Sequence, residues 1–215
     1  MRKISTFSGR LQQEYADQLP EKAKLFLEKI ANATSRMYAM IDGVLSYSTL
    51  NASEQPMARI DLDKIMQHIE SDLEVPIQYK KAIINKCNLP EIDGAEVLIY
   101  QLFYNLINNS LKFSRSEVAP VITISSSIAS KDEKDFAVIE VADNGIGFTG
   151  DEAERIFNSF TRLHGKDKYE GTGLGLALCR KIAERHHGFI NAAGNEGKGA
   201  IFTVWLPLKQ DQLTI

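Results

Sequence analysis

The chain has 215 residues, 44% hydrophobic and 25% charged, enough for one ordinary globular domain with a small helical one beside it. Its 25 Lys and Arg against 28 Asp and Glu leave a net charge of -3, which gives no electrostatic footprint for nucleic acid. No apolar run reaches membrane-spanning length and no signal peptide opens the chain, so a soluble, cytoplasmic segment without membrane contact is expected. The two cysteines, Cys87 and Cys179, lack metal-ligand spacing and read as reduced, partly buried thiols.

The N-terminal part is helical by its period. Ile4, Phe7 and Leu11 set a rhythm that Leu19-Pro20 interrupts, with Pro20 at a favourable helix start. Phe26, Ile30, Ala33, Met37, Met40, Val44 and Tyr47 then recur at alternating steps of four and three, the seam of a coiled coil or bundle. Two helices of this size cannot enclose a core, so the hairpin is expected to self-associate as half of a dimeric four-helix bundle. The polar, proline-marked stretch 51–56 ends it, dividing the chain into residues 1–52 and 53–215.

Beyond that boundary Met57 to Ile60 reads as a strand. Asp61 caps a helix reaching Asp72, with Leu62, Ile65, Met66 and Ile69 as its inner stripe. Val75 to Tyr79 and Ala82 to Ile84 read as short strands, and Asp93 as the start of a longer helix. On that helix Ile99, Phe103, Leu106, Ile107 and Leu111 form an apolar side, and Gln101, Asn105, Asn108, Asn109 and Lys112 a polar one. Pro120 to Ser127 and Phe136 to Ala142 are strands flanking the charged turn 131–135. Leu176 to Arg185 is a helix closed by His186-His187-Gly188, and Ile201 to Leu206 closes the sheet.

Three features carry chemistry. The buried strand ending at Ala142 delivers Asp143 to a strand end, where its carboxylate can accept a hydrogen bond from an amino group such as adenine N6. Glycine-rich turns at Asp143-Asn-Gly145-Ile-Gly147-Phe148 and Gly171-Thr172-Gly173-Leu174-Gly175 let backbone N–H groups approach a polyphosphate, and the second opens a helix, whose N-terminus suits phosphate. Neither turn fits a P-loop or a dinucleotide fingerprint, and a lone DNG turn is most often only a loop. The asparagines matter because the amide is a poor mid-helix group. Asn105 and Asn109, one turn apart, can point two amide oxygens at one Mg²⁺ whose shell substrate phosphates complete, with Lys112 meeting phosphate charge. ATP is the natural candidate.

Together these motifs resemble the ATP-binding half of a sensor histidine kinase. Asn105-Leu-Ile-Asn-Asn-Ser-Leu-Lys-Phe-Ser114 is similar to that family's N box, residues 143–148 to its G1 box, Ile156-Phe157-Asn-Ser-Phe160 to its F box and residues 171–176 to its G2 box. Residues 197–207 resemble its closing strands, and the stretch from Arg36 to Ser48 resembles the second dimerisation helix of phytochrome-type members.

The resemblance implies an α+β chain: a helical hairpin followed by an α/β sandwich of the histidine kinase, Hsp90 and gyrase type. It implies ATP and Mg²⁺ as ligands, with Asn109 and Asn105 on the metal, Asp143 on the adenine amino group, and Gly145 and Gly147 shaping the base pocket. Gly171, Thr172, Gly173, Leu174 and Gly175 would belong to the phosphate loop, with Lys112 and Arg162 as phosphate partners. Residues 161–170 would form a lid, a reading their charged, aperiodic sequence supports. Phe157 and Phe160 would anchor its hinge by packing.

The implied partners are a second copy of the chain and the receiver domain of a response regulator. In the family the phospho-accepting histidine precedes a Pro-Leu-Arg motif, so it would fall just before Met1, and the chain is expected to be a fragment that cannot label itself. His68, His164, His186 and His187 lie in other contexts and read as surface or helix-terminal residues. The alternatives are an ATPase of the gyrase, Hsp90 or MutL kind, which would need a carboxylate base where asparagines stand, and a non-catalytic nucleotide-binding scaffold.

Overall fold

The computed structural model describes residues 2–49, 55–163 and 171–210. Helices α1 (Arg2–Glu14) and α2 (Glu21–Thr49) pair as a hairpin. Pro20 starts the second helix: its carbonyl accepts from the N–H groups of Ala23 and Lys24 at 2.8 and 3.1 Å, and its missing N–H costs nothing there. Among its described side chains the buried ones are polar, Ser8 and Thr34, each bonded back to a carbonyl of its own helix, Ser5 and Ile30. Its apolar seam faces outward, with Phe7 58%, Phe26 52% and Ile30 43% exposed. The side chains of Met40 and Tyr47 fall outside the described set, as does most of the 51–56 boundary.

The remainder encloses a core of its own. Strand β1 (Ala58–Asp61) pairs antiparallel with β3 (Glu91–Gly94). A five-stranded sheet runs in the order β2, β4, β5, β7, β6, formed by Ile83–Lys86, Val121–Lys131, Lys134–Asp143, Gly199–Pro207 and Phe189–Asn195 respectively. Only the β2–β4 pair is parallel. Helices α3 (Leu62–Asp72), α5 (Glu96–Lys112) and α6 (Gly175–Arg185) supply one continuous apolar cluster with this sheet. All five predicted apolar residues of α5 are buried, from Ile99 to Leu111. Asp61 caps α3 as expected, its carboxylate accepting from the N–H groups of Asp63 and Lys64.

Several expectations need correction. Val75 to Tyr79 is not a strand but lies in helix α4 (Glu74–Lys80), ended by Lys81 at φ 52°. Pro76 offers no N–H to a ladder and suits a first helical turn, while Gln78 donates to Glu74 one turn back at 2.7 Å. The asparagine-bearing helix begins at Glu96 rather than Asp93, which belongs to β3 and pairs with Arg59 at 3.3 Å. The neighbouring strand is Ile83–Lys86 rather than residues 82–84. Residues 201–206 do lie in the last strand of the chain, β7, but the edge of the sheet beside it is β6. Its sequence Phe-Ile-Asn-Ala-Ala-Gly-Asn is poor in β-formers and hides the strand from a propensity reading.

Cys87 is exposed rather than partly buried, and Cys179 is fully buried beneath α5, which pushes its thiol pKa up. The 131–135 turn is a tight hairpin with Asp132 and Glu133 at φ 50° and 61°. No described helix is long and apolar enough to cross a membrane.

Candidate nucleotide site

Asp143 ends β5 beside the edge of α5. Its Oδ1 accepts from the backbone N–H groups of Gly145 at 2.9 Å and Ala200 at 3.2 Å, and its Oδ2 lies 3.0 Å from the Ser110 hydroxyl. Burial raises its pKa above the ordinary 3.8, against the opposing pull of those three donors. Ser110 therefore ties strand end to helix, a role the sequence reading missed. The available signal was a serine inside the apolar stripe, between Ile107 and Leu111, where a buried hydroxyl needs a partner.

The turn from Asp143 to Phe148 is held on its far side by other backbone. Ile146 donates to Phe113 O at 2.9 Å and accepts from Gly197 N–H at 2.7 Å. A Cβ on Gly145 would stand 2.6 Å from Phe113 O, and one on Gly147, whose φ is +64°, 2.1 Å from Asn195 O. These two positions need glycine because backbone passes where a side chain would be.

The second glycine turn lies against the polar face of α5. A Cβ on Gly171 would come 2.6 Å from Lys112 Nζ, and one on Gly175 3.6 Å from Asn105 Oδ1. Gly175 is the first residue of α6, so the free N–H groups and positive dipole end of that helix open toward the asparagine face. Asn109 stands one turn further along α5 than Asn105.

Arg162 donates to Gly171 O at 2.9 Å and Phe160 N–H to Gly173 O at 2.9 Å, stapling the segment after the F box to this turn. Thr172 Oγ1 accepts from Leu174 N–H at 3.3 Å, and Leu174 is buried under the helix start. The structure thus brings Asn105, Lys112, Gly171 and Gly175 together, and Asp143 joins them through Ser110 on the same helix.

Phe157 is buried against Phe202, with the Arg180 guanidinium 4.3 Å above its ring. Phe160 departs from the packing expectation: it is 57% exposed with φ +64°, because its backbone, not its ring, holds the glycine turn. Residues 164–170, most of the expected lid and its His164, lie outside the described residues.

His186 also departs from the surface reading. It is fully buried at the C-terminus of α6, its Nε2 accepting from Ala95 N–H at 3.0 Å and its Nδ1 2.7 Å from Ile182 O. Burial lowers its pKa, and the two partners fit a neutral ring protonated on Nδ1. His68 on α3 and His187 are exposed.

Among the described residues no three of His, Cys, Asp or Glu gather into a cation site. A hard cation at this place would therefore rely on amide and phosphate oxygens. Asn105 and Asn109, one turn apart on α5, are the kind of neutral oxygen donor that Mg²⁺ accepts when phosphate balances its charge.

Residues 94–210 match the family described as histidine kinase-, DNA gyrase B-, and HSP90-like ATPase. The chain belongs to this ATP-binding family, and within it to the sensor histidine kinases, as an α+β chain with a helical hairpin ahead of the α/β sandwich. It is 32% identical over 208 residues to the phytochrome-like protein Cph1 of Synechocystis, covering 97% of this chain and 27% of that protein. It thus spans about a quarter of the length of the curated relatives it matches. Its fold is similar to full-length ShkA, crystallised in complex with AMPPNP, with a TM-score of 0.69 and 21% identity over 98% of this chain and 46% of that one. It is also similar to the histidine kinase ThkA, solved in complex with the response regulator protein TrrA, with a TM-score of 0.65 and 22% identity over 96% and 58% of the two chains.

Proposed function

We propose that this chain is the Mg-ATP-binding core, with its dimerisation hairpin, of a kinase that moves the γ-phosphoryl of ATP to a histidine and thence to an aspartate of a response regulator. Residues 1–52 form the hairpin and 53–215 the catalytic domain. The observation that carries the reading is the meeting of Asn105 with Gly175 and of Lys112 with Gly171, which sets amide oxygens and an ammonium against a helix N-terminus.

Asp143 accepts a hydrogen bond from the adenine amino group, in a pocket shaped by Gly145 and Gly147. The turn from Gly171 to Gly175 offers backbone N–H groups to the phosphates, and Lys112 and Arg162 balance their charge. Asn109, supported by Asn105, holds Mg²⁺. That ion, when bound, neutralises charge on the transferred group. The amides are poor bases, which favours phosphoryl transfer to an activated acceptor over hydrolysis. AMPPNP in the ShkA complex and the response regulator in the ThkA complex support the same ligand and partner classes.

Calorimetry with a non-hydrolysable ATP analogue tests this directly. Binding is expected with Mg²⁺, and Asn109→Ala is expected to weaken it about tenfold or more in Mg²⁺ but little in chelator, from loss of one metal ligand. Absence of binding heat in the parent chain overturns the reading. The histidines present lie outside a phospho-acceptor context, so this chain by itself is expected to remain unlabelled by γ-labelled ATP, and an acid-labile, base-stable label on it would contradict that expectation.

A further inference from the structure

Three loops stack behind the Asp143 carboxylate: residues 113–115 after α5, residues 143–148, and the β6–β7 turn at 195–199. Ile146 links all three, donating to Phe113 O and accepting from Gly197 N–H. Asn144 fastens the middle loop to the start of β4, its Oδ1 accepting from Val121 N–H at 2.9 Å and its Nδ2 donating to Ala119 O at 3.0 Å.

Arg115 crosses this stack. Its Nε donates to Asn144 O at 2.9 Å and its Nη1 to Gly197 O at 3.0 Å. The planar guanidinium holds its donors in a rigid fork, so two carbonyls from two different loops are kept at one separation and one angle. Those same two regions aim the carboxylate: Asp143 Oδ1 takes one N–H from Gly145, just after Asn144, and one from Ala200, just after the turn that Gly197 belongs to. A change in the spacing between the loops turns the acceptor.

We propose that Arg115 is a positioning residue for base recognition, fixing the two loops whose amides orient Asp143 toward the exocyclic amino group of an adenine nucleotide. The inference rests on the ATP reading of the site. Arg115 acts through backbone and through Asp143, and does not touch the phosphates.

The test compares ATP with inosine triphosphate on the full 215-residue chain in Mg²⁺. The two ligands share ribose and phosphates, but the inosine base carries a carbonyl where adenine carries its amino group. The parent chain is expected to prefer ATP. Arg115→Gln should lose about tenfold in ATP affinity, the scale of a charge-assisted hydrogen bond, and far less for inosine triphosphate, so the preference collapses. Arg115→Lys, which keeps the charge without the fork, should lie between. Equal weakening of both ligands, with the preference unchanged, would mean a merely structural role and overturns the proposal. A parent chain that binds both alike also overturns it, whereas a parent chain that binds neither refutes the ATP reading instead.

Discussion

The hairpin and the sandwich use similar apolar side chains in opposite ways. In α5, Phe103, Leu106 and Ile107 are 0% exposed, and the helix closes a core shared with α3, α6 and the sheet. In α2, Phe26 and Ile30 stay near half exposed, and among the described side chains of α1 and α2 the buried ones are Ser8 and Thr34. One region is complete in a single chain. The other has a seam whose burial, at about 25 cal/mol per Å², depends on something outside it, and a second copy of the hairpin is the proposed partner.

Core truncation should break this contrast most strongly. Phe103→Ala is expected to lower the unfolding free energy of the sandwich by about 3–5 kcal/mol, through lost burial plus a cavity. Phe26→Ala should leave the sandwich transition where it was and weaken self-association, seen by chemical denaturation together with light scattering. A parent chain that is strictly monomeric at micromolar concentration would remove the contrast altogether.

The glycine turns sharpen it at the level of backbone. Gly147→Ala places a methyl group against Asn195 O and forces a side chain into φ +64°. It should cost about 1–3 kcal/mol from conformational strain alone, plus nucleotide affinity. Gly9 in α1 has open space where a methyl group would stand, so Gly9→Ala should be neutral or slightly stabilising by thermal melting.

His186 gives an effect that depends on pH. Its folded pKa is lowered from 6.5, so the unfolded chain takes up the proton first. The stability contribution is whole above about pH 6.5 and is lost as pH falls from there through the lower folded value. His186→Leu should cost about 1–3 kcal/mol at neutral pH by orphaning Ala95 N–H, and should flatten that part of the melting-temperature profile. A small effect is also expected at Arg59, half exposed beside Glu91 and Asp93: Arg59→Ala should change stability by under about 1 kcal/mol, less in high salt.

Much of this was legible because the signals are local. The stripe of α5, the cap at Asp61 and the strand delivering Asp143 each follow from period or from a side chain bonding its own neighbourhood. Helix α4 was misread because seven residues with β-branched content carry no reliable period, and β6 because a strand can be held by its partner despite a poor composition. The exposure of Phe160, the burial of His186 and the work of Arg115 left no pattern along the chain, while Ser110 left only a serine in an apolar stripe, since the partners lie many residues away.

Residue order by itself carried the resemblance to the family's four boxes, the period of the helical hairpin and the groups on offer for a site, because glycine, amide and carboxylate act through properties they carry anywhere. Tertiary structure decided how those groups face one another: that Gly175 opens on Asn105, that Ser110 joins Asp143 to α5, and that Arg115 spans two loops. These are long-range arrangements set by sheet order and helix packing, which no short window of sequence encodes.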